Sequence, residues 1–311
     1  MVTREEFLEE RKTGIGGSDV AKILGISHYG SALSLWAEKT GKVTPQEAGE
    51  PAKWGNLIEP LIIEQMTDQL QVKAVASPDM FRHPDYPFML AHVDGLIMSP
   101  LDEPEGILEA KTVGLRLFRD WDDGVPPYYV AQVQHYMCVT GLPYAEVGVL
   151  ICGQELSIFH VDANREYQEL LIEEEQKFWN CVETGTPPEA DGSDATSEVL
   201  KRLYDRPTPT VIELDEKWLD KLDEYKKLRE EEKQIHTQAE EISNQLRLVQ
   251  GENSRATING EVVSMLSIGN RTTLDRKKLE VENPELAEQI KSYDKHSTYP
   301  IFKIVAEKRD V

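Results

Sequence analysis

The spacing of apolar positions changes several times along this chain, and each change marks an element. Residues 1–45 read as helical. The stretch Ser18-Asp-Val-Ala-Lys-Ile-Leu-Gly25 opens on a capping residue and closes on a glycine, and a second helix runs from about Ser31 to Thr40 and stops at Gly41. Pro45, Gly49 and Pro51 make 45–53 a loop. Leu57, Ile58, Leu61 and Ile62 then recur at helical spacing, which predicts a helix from about Trp54 to Leu70. Phe88 to Met98 and Gly106 to Val113 read as two strands of an antiparallel hairpin, separated by Ser99, Pro100, Asp102 and Pro104. Pro126-Pro127 opens a helix from about Tyr128 to Thr140 that ends at Gly141. Strands follow near Ala145–Cys152 and Glu155–Val161, then a helix from Arg165 to Thr184. The order predicts an α/β (α+β) fold, a central mixed sheet flanked by helices.

Residues 191–210, rich in Pro, Gly, Ser and Asp, read as a linker between a core of residues 1–190 and an extension of residues 211–311. In the extension Leu228, Ile235, Ile242 and Val249 recur every seven residues. Tyr225, Ala239 and Leu246 fill the second seam, which Glu232 interrupts. That is a long helix able to pair with another helix. Asn259-Gly260 between Ala-Thr-Ile and Glu-Val-Val predicts a β-hairpin. A helix near Asp275–Ile290 and a strand near Pro300–Val305 complete the reading.

Composition narrows the function classes. The 311 residues are 40% hydrophobic and 29% charged, as in ordinary globular proteins. No apolar run of about 18 residues predicts a membrane span, and the charged stretch Met1–Lys12 is unlike a secretory signal. Three scattered cysteines suggest neither a disulfide nor a zinc pattern, so a reducing cytoplasm is the expected setting. The formal net charge is −22, and most of the excess acid falls in residues 1–190. Such a chain cannot coat nucleic acid non-specifically; any nucleic-acid site must be focused, with bound cations and a few Arg or Lys supplying the positive field.

One segment carries such chemistry. In Ile107-Leu-Glu109-Ala-Lys111 the two charged residues are two apart on a strand and project from one face. A carboxylate beside an ammonium can bind a hard cation and hold a water or a phosphate. Asp94 lies on the strand paired with it and could converge with Glu109 on one ion, and Glu59 on the preceding helix could complete the shell.

Here the chain resembles the phage lambda exonuclease/YqaJ-type viral recombinase nucleases, within the restriction-endonuclease-like superfamily. The superfamily core is an Asp, a variable gap, then Glu-x-Lys; this chain has Asp94-Gly95 and then Glu109-Ala-Lys111. Arg11 to Ser18 looks like the family's N-terminal phosphate-binding motif, Gly55-Asn-Leu-Ile-Glu59 like its metal-ligand helix, and Tyr129-Val-Ala-Gln132-Val-Gln134-His-Tyr136 like its Gln-x-x-x-Tyr helix. The motifs stand in family order across about residues 10–180.

The resemblance implies a restriction-endonuclease-like core and a Mg²⁺- or Mn²⁺-dependent DNA exonuclease of phage-type recombination. It would digest the 5′ strand of duplex ends by two-metal hydrolysis. Glu59, Asp94, Glu109 and the Ala110 backbone carbonyl would hold metal. Lys111 would orient the attacking water, Gln132 would support the water or metal shell, and Tyr136 would line the cleft. Arg11 and Ser18 would grip a 5′ phosphate; Ser18 also follows Gly16-Gly17, whose N–H groups could face an anion. Partners would be DNA, a phage single-strand annealing protein, and further copies of the chain in a ring, perhaps a trimer.

Other readings stay open. The same site could serve an endonuclease or flap nuclease, or the fold could be a non-catalytic DNA-end-binding or interaction module. Asp19 could be a helix-capping acid rather than part of the phosphate site. His92, which would share Asp94's strand face, and His135 read as structural. Trp36 and Trp54 read as core or cleft wall, while Arg116 and Arg119 could contact DNA.

Overall fold

The computed structural model describes residues 11–45, 49–77, 80–294 and 302. The chain falls into two compact units, Met1–Arg206 and Pro207–Val311.

In the first unit the elements run β1 (Ile15–Gly16), α1 (Gly17–Ile23), α2 (Ala32–Lys39), α3 (Glu50–Leu70), β2 (Lys73–Ala76), β3 (Phe81–Arg82), β4 (Met89–Ala91), β5 (Gly95–Met98) and β6 (Pro104–Val113). They continue with α4 (Pro127–Thr140), β7 (Tyr144–Ile151), β8 (Glu155–Asp162), α5 (Arg165–Thr184) and α6 (Asp194–Leu203). The main sheet has the order β2-β5-β6-β7-β8; only β6 and β7 run parallel, so the sheet is mixed. A small sheet, β1-β4-β3, lies apart from it in the hydrogen-bonding pattern.

Alternation along β6 divides the core. Ile107 enters a large cluster with Ile15, Trp36, Val133, Met137 and Leu171. Leu108, the next residue, enters a smaller one with Ile62 and Met66 of α3. Successive side chains on a strand point to opposite faces, so α3 covers one face of the sheet while α1, α4 and α5 pack on the other. Gly148 of β7 permits the approach of α3: a Cβ there would sit 2.3 Å from Met66 Sδ.

Several expectations are corrected. The single strand Phe88–Met98 is two strands, because β4 pairs with β1 and β3 while β5 pairs with β2 and β6. The chain changes sheets at 92–94, so Asp94 and His92 share no strand face. Helix α3 starts at Glu50 rather than Trp54, since Gly49 caps it and Pro51 is accepted in a first turn. The edge strands β2 and β3 are too short to show a pattern. Residues 191–210 contain α6, capped by Ser193. Its Thr196 hydroxyl donates to Ser31 Oγ at 2.8 Å, and Val199 is buried.

The second unit contains α7 (Lys217–Gln250), a hairpin of β9 (Arg255–Ile258) and β10 (Glu261–Met265), and two short helices, α8 (Arg276–Glu282) and α9 (Pro284–Lys291). Asn259 and Gly260 both take positive φ, 52° and 88°, as their turn requires. The helix expected over Asp275–Ile290 breaks at Asn283, because Pro284 removes a helix donor and holds Asn283 extended. Leu228, Ile235 and Ile242 of α7 remain 55%, 65% and 68% exposed. The strand expected near Pro300–Val305 lies outside the described residues, apart from Phe302.

Candidate active site

A cleft of about 690 Å³ opens in the first unit, and it gathers residues from α1, α3, the 92–94 corner, β6 and α4. Arg11, Ser18, Glu59, Asp94, Glu109, Ala110, Lys111, Gln132 and Tyr136 all line it. Every site residue expected from the sequence therefore reaches one cavity.

Glu109 is the centre of the arrangement. Its β6 segment is the buried middle of the sheet, as a strand with a parallel neighbour usually is, so the carboxylate is only 1% exposed. Its Oε1 pairs with Lys111 Nζ and accepts a 2.7 Å hydrogen bond from Gln132 Nε2. Gln132 spends its second amide hydrogen on Tyr136 Oη at 2.9 Å, one helical turn along α4. Glu109 Oε2 is buried with no hydrogen-bond partner. Burial, reinforced by the charge of Asp94, pushes the Glu109 carboxyl up to about 8 against the opposing pull of Lys111.

Asp94 sits where the β5–β6 ladder ends at Gly95 and Leu108. Its Oδ2 accepts the Ala110 N–H at 2.8 Å, taking over a backbone donor that the strand break frees. Glu59, on the helix covering the opposite face, is pushed up to about 7 by partial burial and then by Asp94. Lys111 is held above its ordinary range: burial opposes its charge, but Glu109 and Asp94 outweigh burial. Its ammonium lies over the Tyr129 ring, 5.1 Å from the centroid. Nothing in the sequence alone marks Tyr129 for this role, beyond its position three residues before Gln132 and seven before Tyr136, on one face of α4.

Among the described residues, no three Asp, Glu, His or Cys side chains form a ready-made metal cluster. The Asp94 charge nevertheless raises both Glu59 and Glu109, and Glu109 carries an orphaned buried oxygen. An excess of close carboxylates with one cation between them fits a divalent ion, because a hard cation takes oxygen ligands and would remove the mutual repulsion.

In the N-terminal motif Asp19 takes the helix-capping alternative. Asp19 takes the Gly16 N–H at 3.2 Å, so that donor is committed to the chain's own carboxylate. The acid caps α1 and is fully buried. Arg11 Nη2 reaches Asp19 Oδ1 at 3.0 Å and Ser18 Oγ at 3.2 Å. Lys39 Nζ lies 2.8 Å from Asp19 Oδ2 and also donates to the Arg11 and Gly14 carbonyls at 2.6 and 2.7 Å. Burial alone would raise the Asp19 carboxyl, but Lys39, Arg11 and Lys22 together hold it well below the usual carboxylate range. Lys39 had no sequence signal, being twenty residues from its partner.

His135 is structural: its ring bridges Glu175 Oε1 at 2.8 Å and the Leu90 carbonyl at 2.9 Å, fully buried. A carbonyl only accepts, so Nε2 carries hydrogen. The Glu175 carboxylate raises the imidazole above its ordinary value, although burial opposes this. Trp36 is core, donating to the Cys181 carbonyl at 3.0 Å, whereas Trp54 is 57% exposed and outside the cleft lining. His92 lines the cleft; Arg116 and Arg119 are exposed and do not.

A family model described as the YqaJ-like viral recombinase domain matches residues 6–143. The protein described as "Uncharacterized protein YqaJ" from Bacillus subtilis (strain 168) is 32% identical over 297 residues, covering 93% of this chain and 91% of that protein. Among solved structures, the alkaline exonuclease LHK-Exo from Laribacter hongkongensis matches with a TM-score of 0.50 at 18% identity, over 58% of this chain and 94% of its own. The structure of LHK-Exo in complex with dAMP matches with a TM-score of 0.51 at 19% identity, over 64% of this chain and 96% of its own. The fold these share is the restriction-endonuclease-like one.

Proposed function

This chain belongs to the YqaJ-like viral recombinase family, and from that premise we propose that it is a Mg²⁺- or Mn²⁺-dependent DNA exonuclease working on duplex ends. The observation that carries the reading is Glu109: a carboxylate withdrawn from water, with one oxygen unpartnered, beside a lysine and two further acids in an open cleft. Glu175 also has a buried oxygen without a partner, but its charge is met by His135; Glu109 combines the orphaned oxygen with further acids beside it and a place on the cleft wall.

Glu59, Asp94, Glu109 and the Ala110 carbonyl would hold the cation, which when bound supplies charge neutralisation and a more acidic water. The chain's own groups do the rest. Lys111 donates to the attacking water or the scissile phosphate and steadies the charge that develops there. Gln132 locks the Glu109 rotamer while Tyr136 holds Gln132. The Ala110 N–H keeps Asp94 turned toward Glu109. Arg11 and Ser18 sit along the same cleft and would grip a terminal 5′ phosphate, which sets a 5′→3′ direction and leaves a 3′ single strand. Such a product suits a phage single-strand annealing protein. A multimeric ring, a trimer among the options, belongs to the same proposal.

The test is digestion of linear duplex DNA in Mg²⁺, with and without a 5′ phosphate, beside closed circular DNA. Linear 5′-phosphorylated DNA should be consumed, the unphosphorylated end more slowly, and the circle left intact. A cut circle would make the site an endonuclease. If Lys111→Ala and Glu109→Ala proteins digest DNA as fast as the unmodified chain, the proposal is wrong.

A further inference from the structure

One wall of the cleft is aromatic, and the hydrolytic chemistry does not use its outer end. A row of rings runs from the core to the cleft's mouth. Phe159 faces Trp121 at 5.8 Å between centroids, Trp121 faces Tyr129 at 5.5 Å, and Tyr129 faces Tyr128 at 4.6 Å. Tyr128 meets His28 edge-on at 5.1 Å, and His28 meets Tyr29 edge-on at 6.3 Å. From Trp121 outward exposure rises, from 3% there to 72% at Tyr29. His28, Tyr29, Tyr128 and Tyr129 all line the cleft, and Tyr129 carries the Lys111 ammonium on its face.

The outer rings are braced. Tyr128 Oη donates to Asp120 at 3.0 Å, and His28 Nε2 lies 3.5 Å from the same carboxylate. Ser27 Oγ accepts the Tyr29 backbone N–H at 3.0 Å. A large aromatic face is thus left in water on a fixed mount, where a second flat ring would recover the lost contact.

The charge of the chain says which ring. Among the described residues, Arg11 and Lys111 are the only lysine or arginine residues lining the cleft, against the acids Glu59, Asp94 and Glu109, in a protein of net charge −22. Phosphate contacts alone therefore supply little grip. Stacking on a base face needs no positive charge and tolerates any sequence.

Resting on the nuclease reading above, we propose that Tyr29, supported by His28 and Tyr128, is a stacking shelf for one nucleobase of the strand whose phosphate lies at Lys111. Tyr29 is then a positioning residue, acting on how the strand is seated and not on the reacting atoms.

The test compares substrates that carry a base, or an abasic site, at each nucleotide flanking the scissile phosphate. The unmodified protein should show a KM about tenfold higher for one abasic position, with kcat nearly unchanged. Tyr29→Ala should raise KM for the intact strand by a similar factor and ignore the abasic site, while Tyr29→Phe should behave as the unmodified protein does. A 2-aminopurine placed at that position should be quenched on binding to the unmodified protein and not to Tyr29→Ala. The shelf is overturned if Tyr29→Ala still discriminates the abasic site, or if Tyr29→Phe fails as badly as Tyr29→Ala. If no DNA is cleaved at all, the nuclease reading falls, and the quenching measurement still decides the shelf.

Discussion

Asp19 and Glu109 are both removed from water, at 0% and 1% exposure, yet the fold treats them oppositely. Asp19 faces three cations, Lys39, Arg11 and Lys22, and is kept ionised well below the usual carboxylate range. Glu109 faces one cation, Lys111, and two further acids, and is pushed up to about 8. A buried charge is tolerable only when paired and hydrogen-bonded. Asp19 meets that condition within the chain. Glu109 meets half of it, at Oε1, and leaves Oε2 unmet. The first arrangement ties α1 to α2; the second leaves an oxygen that the cation proposed above would meet.

The comparison can be broken most sharply by neutralising each acid. Asp19→Asn leaves Lys39 buried without its counter-charge and should cost about 3–5 kcal/mol, lowering the melting temperature by roughly 10 °C. Glu109→Gln should abolish DNA digestion while leaving the melting temperature of the cation-free protein unchanged or higher. Equal losses of stability from the two substitutions would erase the distinction. A smaller effect is expected from Gly17→Ala, whose Cβ would lie 2.4 Å from Tyr136 Cε1, on a largely buried ring tied to Gln132. That overpacking should cost about 1–3 kcal/mol, and it should disturb the Gln132–Glu109 contact, so activity falls more than stability.

The smallest effects are in pH, and they have opposite signs. Asp19, with a depressed carboxyl, contributes stability above its unfolded value of 3.8, lost as pH falls toward the folded value. Glu109 and Glu59, with raised carboxyls, make the cation-free folded state bind more protons than the unfolded state between about pH 4.5 and 8. Their contribution therefore weakens as pH rises through that window. Denaturant titrations from pH 5 to 8 should show this decline in the unmodified protein, reduced in Glu109→Gln and by added Mg²⁺. Cation binding at pH 7 should also release protons, visible as a calorimetric heat that depends on the buffer. A heat independent of buffer would mean the carboxylates are already ionised.

Much of this was readable along the chain. Helix α5 runs from Arg165 to Thr184 as its period predicts, and α4 and the β7–β8 hairpin lie within a residue of their expected bounds, because their patterns are long and their turns carry Gly or Pro. Glu109 and Lys111 share a face because any strand alternates. The 92–94 corner was not readable: Phe88 to Met98 is apolar enough to look like one strand, and only pairing with two different sheets divides it. Helix α6 was hidden by the Pro and Gly that flank it.

By itself, the sequence determined the elements, the Glu-x-Lys pair on one strand face, and an excess of acid that any nucleic-acid site must overcome. Local periodicity and charge are properties of neighbours in the chain, so they survive without the fold. Tertiary structure decided which acids are compensated, since Lys39 reaches Asp19 and Gln132 reaches Glu109 across long separations. It also decided that rings from Tyr29 to Phe159 form one row. Burial and pairing depend on what packs from elsewhere, and that is settled only when the chain closes on itself.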